Sequence, residues 1–300
     1  MKRTLLLLPL LTGCAATVAE EDLSQRRMRV TTTVNMLTDV VRQVGGKRVT
    51  VTGLMEPGVD PHYYKASAGD VRTLAKADVT FYVGLHLEGK MSEILERMDR
   101  FHPTFAVGEA IPTNRLHRVA SGVDPHVWFD VSLWKYTVGA VRAGLTKMDP
   151  ASASYYANNA RRYLAELSRL DTWVESELGR IPKARRVLIS AHDAFGYFGE
   201  RYDVEVRGLQ GISTVAEAGT HDVRGLAAFI AEREIGAIFV ESSVPRRNVE
   251  AVRQAVLARG HDVEIGGELF TDSAGAEGTP EGTYVGMIRH NVELLVKALR

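Results

Sequence analysis

Residues 149–178, DPASASYYANNARRYLAELSRLDTWVESEL, lie at the middle of the 300-residue chain and decide how its two halves are arranged. Asp149 and Pro150 can open a helix, aspartate as N-cap and proline at the first helical position. From there Tyr156, Ala160, Tyr163, Leu167, Leu170, Val174 and Leu178 recur at three- and four-residue steps, one apolar stripe on a helix. Gly179 and Pro182 stop the pattern. Pro150 to Leu178 as one helix extends roughly 43 Å at 1.5 Å per residue, enough to run along two lobes and restrict their relative motion. The rival reading is two shorter helices with a break near Asp171.

On either side of this stretch, short β-branched segments alternate with helical patterns, the signature of parallel βα units. Strand candidates in the first half are Arg29–Val34, Val49–Leu54, Val79–Val83 and Thr104–Val107. Those in the second half are Val187–Ser190, Asp203–Val206, Ala237–Glu241 and Asp262–Ile265. Helices fit between them, for example Ala68–Lys76 and Val223–Arg233. The expected fold is α/β: two (β/α)4 lobes with parallel sheets, residues 28–148 and 182–300, joined by a linking helix within 149–181. A length of 300 residues suits two such cores.

Hydrophobic residues at 45% and charged ones at 25% describe an ordinary globular chain. Its 37 basic side chains balance 37 acidic ones, so the basic footprint of a nucleic-acid binder is missing. The N-terminus differs from the rest. Lys2 and Arg3 precede an apolar run, Leu5 to Leu11, too short to span a bilayer and read as an export signal. Leu11-Thr12-Gly13-Cys14 follows and resembles the lipobox of bacterial lipoproteins. Residues 1–14 are then a signal peptide, with Cys14 lipidated and anchored to a membrane through its acyl chains. Residues 15–27 form a tether. A plain signal cut after Thr17-Val18-Ala19 is the alternative. Cys14 is the single cysteine, so no disulfide forms within the chain and any metal site must use histidine and carboxylate.

Asp-Pro-His occurs twice, at 60–62 and 124–126. Proline stiffens each turn and pushes the residue before it out of helical geometry. His62 lies beyond the second strand candidate and His126 beyond the fourth. His192 comes two residues after Val187–Ser190, and Asp272 seven residues after Ile265. All four thus fall beyond the carboxyl ends of strands, where open α/β sheets bind ligands. Two facing lobes would each supply two of them to a site in the cleft between lobes. Imidazole suits zinc, copper, iron and nickel, and the carboxylate adds tolerance for manganese, whereas magnesium or calcium would want mostly oxygen. On pattern alone, unrelated surface histidines remain a rival reading.

Other features carry less. Gly84 to Lys90 matches a phosphate-binding loop up to its lysine, but Met91 stands where Ser or Thr must hold magnesium, which argues against nucleotide. Glu241 ends a strand toward the cleft and either supports a ligand histidine or caps its loop. Asp130 and Asp193 have the same two options, and for them capping a loop is favoured. Trp128, Phe129, Phe195, Tyr197 and Phe198 read as lobe packing. His86, His221, His261 and His290 read as surface or packing residues.

The chain resembles the cluster A-I (cluster 9) metal-binding proteins of ABC transporters, above all a zinc/manganese-binding branch. The matching stretches are DPHYYKASAGDVRTLAKADVTFYVGLHLEGKM (60–91), DPHVWFDVSLWKY (124–136), SAHDAFGYF (190–198), GLQGIST (208–214), IFVESS (238–243) and GGELFTD (266–272). They are spread over most of the mature chain. The resemblance implies lobes joined by one long helix and metal ligands at His62, His126, His192 and Asp272. It also implies capture of zinc or manganese, with ferrous iron a third option, outside the cytoplasmic membrane. Delivery would be to the permease and ATPase of an importer, by a lipid-anchored monomer with no enzymatic activity. Manganese-specific members usually carry glutamate at the position of His192, and dedicated zinc members a histidine-rich loop before the second ligand. Here residues 99–122 hold only His102 and His117, so zinc stands first and manganese close behind. Two rivals remain: a two-lobed binder of a siderophore-like metal chelate, and a zinc hydrolase, which would need a positioned general base where no His-Glu-x-x-His occurs.

Overall fold

A computed structural model of the protein describes residues 23–120 and 122–300. Cys14, the signal segment and the first part of the tether lie outside the described residues. Residues 23–27, expected in the tether, rest on the first lobe: Arg48 donates to the Leu23 carbonyl at 2.9 Å, and Arg26 pairs with Asp78 at 2.6 Å.

In the first lobe β1 (Met28–Thr32), β2 (Val49–Gly53), β3 (Val79–Tyr82) and β4 (Thr104–Ala106) form a parallel sheet in the order β2-β1-β3-β4. Helices α1 (Asn35–Gly45), α2 (Ala68–Lys76) and α3 (Ser92–Met98) make the crossovers. Ser67 and Asp70 close a reciprocal capping box at the start of α2, which satisfies two otherwise orphaned amides. An unforeseen antiparallel pair, β5 (Arg118–Val119) and β6 (Gly122–Val123), then leads to α4 (Val131–Met148). Asp130 caps α4 by accepting from the Ser132 and Leu133 amides.

The linking segment is a 3-10 turn, Pro150–Ser152, running into one helix, α5 (Ala153–Leu178). Its 26 residues span about 39 Å. There is no break at Asp171, and all seven stripe residues are buried. Asp149 does not cap the segment as expected. It is buried, and its Oδ2 instead accepts from Arg48 and from the Tyr156 hydroxyl at 2.9 Å.

The second lobe holds β7 (Val187–His192), β8 (Glu205–Gln210), β9 (Ala237–Glu241) and β10 (Glu264–Leu269), with α6 (Gly196–Tyr202), α7 (Thr220–Glu232), α8 (Arg247–Leu257) and α9 (Tyr284–Leu299). The pairs β7–β8 and β9–β10 are parallel and β7 lies beside β9, so the order β8-β7-β9-β10 repeats that of the first lobe. Helix α5 packs on α1 and α4 of one lobe and on α9 of the other. The larger apolar core is continuous from Val30 and Phe81 through Leu167 to Phe239 and Leu295. The lobes are therefore fused by packing as well as by chain.

Several strand ends differ from expectation, and two of the differences move a candidate residue. β7 continues to His192, so that histidine is the last residue of the strand. β10 continues through Gly266 and Gly267 to Leu269, which puts Asp272 three residues past its end. The two glycines admit the continuation. A Cβ on Gly266 would stand 2.7 Å from the Phe239 ring, and one on Gly267 2.7 Å from Leu294, where φ is +136°. The strand bulges between Ile265 and Gly267 as it passes beneath α9.

Candidate metal site

The Asp-Pro-His segment after β2 carries His62, and its counterpart after β6 carries His126. His192 ends β7, and Asp272 follows β10. From these four places, two in each lobe, one donor atom each of His62, His126, His192 and Asp272 comes within 4.8 Å of the others. The Nε2 of His126 lies 3.3 Å from those of both His62 and His192. Asp272 approaches His126 Nε2 at 3.4 Å, His192 Nε2 at 3.5 Å and His62 Nε2 at 3.9 Å. His62 is 4% exposed and the other three 0%.

The neighbours of these groups fix their protonation. His126 Nδ1 donates to Asp124 Oδ1 at 2.7 Å, and His192 Nδ1 donates to Glu241 Oε2 at 2.5 Å. In the neutral ring this leaves Nε2 as the free donor pointed at the common centre, the arrangement that carboxylates impose on metal-binding imidazoles. Glu241, left open above between two roles, takes the first: both its oxygens hold His192, the other one accepting from the His192 amide at 2.9 Å. Asp124 likewise takes the His126 amide. The sequence reading gave the aspartates of the two tripeptides no role of their own; the signal for one was a carboxylate two residues before each histidine, within reach of its backbone. In both turns that contact forms, Asp60 accepting from the His62 amide at 2.9 Å.

Burial of His62, reinforced by the neighbouring imidazoles against the pull of Asp272, pushes it down to about 4. Burial acts the same way on His192, but Glu241 and Asp272 outweigh it and hold that ring well above 6.5. His126 is raised for the same reason, against its own burial, by Asp124 and Asp272. Asp272, which burial alone would push up, is held well below the carboxylate range by His192, His126 and His62. Its Oδ1 is buried with no hydrogen-bond partner. A buried ionised oxygen lacking a hydrogen bond, facing three imidazole nitrogens, fits a divalent cation at the centre. A cavity of about 310 Å³, lined by His62, Leu85 and His86 on one side and Ile212, Ser213 and Val215 on the other, opens beside it.

The remaining expectations also find their places. Trp128, Phe129, Phe195, Tyr197 and Phe198 are buried in the shared core, and Trp128 also donates to the Thr271 carbonyl at 3.0 Å, one residue from Asp272. His86, His221, His261 and His290 stand outside the cluster. In the glycine-rich loop Glu88 occupies the Val83 and Gly84 amides that a phosphate would need.

The family model of the zinc-uptake complex component A, periplasmic (ZnuA), matches residues 30–298. The chain belongs to this family. Among relatives, the zinc-binding protein TroA of Treponema pallidum is 48% identical over 98% of this chain and 96% of its own length. The manganese-binding lipoprotein MntA of Bacillus subtilis is 46% identical, over 97% and 95%. The solved structure of the periplasmic zinc-binding protein TroA superposes with a TM-score of 0.90 at 49% identity, covering 91% of this chain and 99% of that one. The ZnuA-family fold, two parallel α/β lobes on one long helix, is thus shared over nearly the whole chain. Relatives are named as zinc-binding, manganese-binding and metal ABC transporter substrate-binding proteins, in agreement with the resemblance read from the sequence. Among the described residues no helix is long and apolar enough to cross a membrane.

Proposed function

We propose that this chain captures a divalent transition metal ion, zinc first and manganese second, outside the cytoplasmic membrane and hands it to an ABC-type importer. His62, His126, His192 and Asp272 are its ligands, with Glu241 and Asp124 holding two of the rings. The observation that carries this reading is the convergence of four buried donor atoms within 4.8 Å, two from each lobe. That spacing has room for one bare ion and none for an organic chelate. The donors are all protein atoms, at most 4% exposed, so the site holds its ion rather than presenting it to a substrate. We read the chain accordingly as a carrier and not an enzyme. Ferrous iron is the third cargo the donor set suits.

The same reading takes Cys14 as the lipid-bearing residue and residues 15–27 as the tether to the membrane, its last five residues resting on the first lobe. It takes 28–148 and 182–300 as lobes about the 149–181 link, a monomer as the working form, and a permease with its ATPase as partners. Relatives named as metal-binding lipoproteins support the anchor.

Stripping the protein with chelator, reloading it from a mixture of metals and measuring metal content tests the proposal. The expected result is one equivalent of zinc or manganese, lost in His126→Ala and Asp272→Ala. A parent without stoichiometric metal, or variants that retain it as tightly, would remove the site.

A further inference from the structure

The four donors are not held alike. His126 is fixed by Asp124 and His192 by Glu241, each within its own lobe. Asp272 takes the Ser243 hydroxyl at 3.4 Å, again from its own lobe. His62 differs. Among the described residues its Nδ1 has no hydrogen bond, and what anchors it beyond the cluster is its main-chain amide, bonded to Asp60 Oδ1. The other oxygen of Asp60 accepts from Thr214 Oγ1 at 2.5 Å, and Thr214 belongs to the opposite lobe.

Thr214 lies in the segment 211–219 between β8 and α7, which has no helix or strand. Its own hydrogen bonds there are local, such as Gln210 Nε2 to the Ala216 carbonyl. Among the described residues, Thr214 to Asp60 is the hydrogen bond that ties this segment to the first lobe. Ile212, Ser213 and Val215 line the opening beside His62, while Thr214 turns inward and is 8% exposed. A hydroxyl bonded to a carboxylate is stronger than a neutral pair, and breaking it strands a half-buried charge.

We propose that Thr214 is a positioning residue for ion retention: through Asp60 it makes the placement of His62 depend on contact between the lobes. While the segment 211–219 stays seated, Asp60 and the His62 turn are held and the ion has four donors. When the segment lifts, the turn loses its anchor and one of the four donors is freed beside the opening. The inference rests on reading the site as a metal carrier.

The test follows release of zinc, and separately of manganese, from the loaded protein into excess chelator by stopped flow. Thr214→Val, which keeps shape and removes the donor, should release metal about 10-fold faster, the lower end of what losing such a supporting contact costs. Association should stay within about twofold, because interface contacts act mostly on dissociation. Thr214→Ser, which restores the hydroxyl, should return to the parental rate. Because losing the bond also lowers the melting temperature of the metal-free variant, release is read well below that temperature for every protein, and Thr214→Ala serves if the valine variant fails to fold. Parental release from Thr214→Val, or equally fast release from Thr214→Ser, overturns the role of Thr214 alone. A parent that holds no metal overturns the carrier reading as well.

Discussion

Each metal-facing histidine does two jobs with two nitrogens, and the carboxylate behind it decides how well. Glu241 is the leading influence that holds His192 above its ordinary range despite complete burial. Glu241→Gln removes that charge and keeps size, but its amide can accept only one of the two hydrogen bonds that His192 donates. Two effects then oppose each other: protons compete less for His192, but the ring becomes a weaker and looser donor. At alkaline pH, where no proton competes, only the second survives, and metal affinity should fall by about 10- to 100-fold. In the neutral range the dependence of affinity on pH should flatten. Titration calorimetry at several pH values reads both, and parental affinity at alkaline pH would show that Glu241 only caps its strand. This residue was legible because it ends a strand facing the cleft. Thr214 was not, because a threonine in a polar loop carries no mark of what it will meet in the other lobe.

At the level of elements, the stripe of α5 was readable because its period survives over seven turns and ends at a glycine. Helix α4 was not: its buried side chains share one face, but that face includes Thr137 and Gly144 while Tyr136 stands exposed outside it, so the apolar residues of VSLWKYTVGAVRAGLTKM blur the period. The end of β10 was misplaced for a different reason. Two successive glycines ordinarily signal a turn, whereas here they let a strand slide beneath α9. Gly266→Ala would put a methyl 2.7 Å from the Phe239 ring and 2.9 Å from Ala298 Cβ, and neither is the end of a long flexible chain. The expected loss is about 1–3 kcal/mol by urea unfolding, the usual cost of overpacking. Because β10 delivers Asp272, metal affinity should drop too. Gly225→Ala in the middle of exposed α7, with nothing within 4 Å of the added carbon, should instead be neutral or stabilising by up to about 1 kcal/mol. Equal stability of the Gly266 and Gly225 variants would refute the close passage.

For the whole molecule the decisive fact is that one apolar core and one helix serve both lobes, so ion binding acts on a body that is already closed. The sequence showed the lobes and the rod through repeated βα units and a long stripe. It could not show that the core is continuous, which depends on contacts such as Phe129 on Phe195, 4.3 Å apart from opposite lobes. In such a body metal binds only the folded state and should stabilise it by roughly 2.7 kcal/mol at a hundredfold excess over Kd. The size of that gain must depend on pH. In the metal-free protein His192 and His126 are raised, so the stability they contribute is full below the unfolded value near 6.5 and is lost as pH climbs through their folded values. Asp272 is depressed, so its contribution is present above the unfolded carboxylate value of about 4 and lost only in strong acid. Metal requires the same imidazoles free of protons, and its affinity therefore rises over the range where their contribution to the metal-free fold declines. His62, already at about 4, adds nothing to this trend near neutrality. The difference in melting temperature between loaded and metal-free protein should consequently widen as pH climbs through the ordinary histidine value near 6.5 and toward the raised folded values of His126 and His192. Chelator should abolish it at every pH, as should Asp272→Ala. A gap that stays constant across this range would mean that the ion is not displacing protons from His126 and His192.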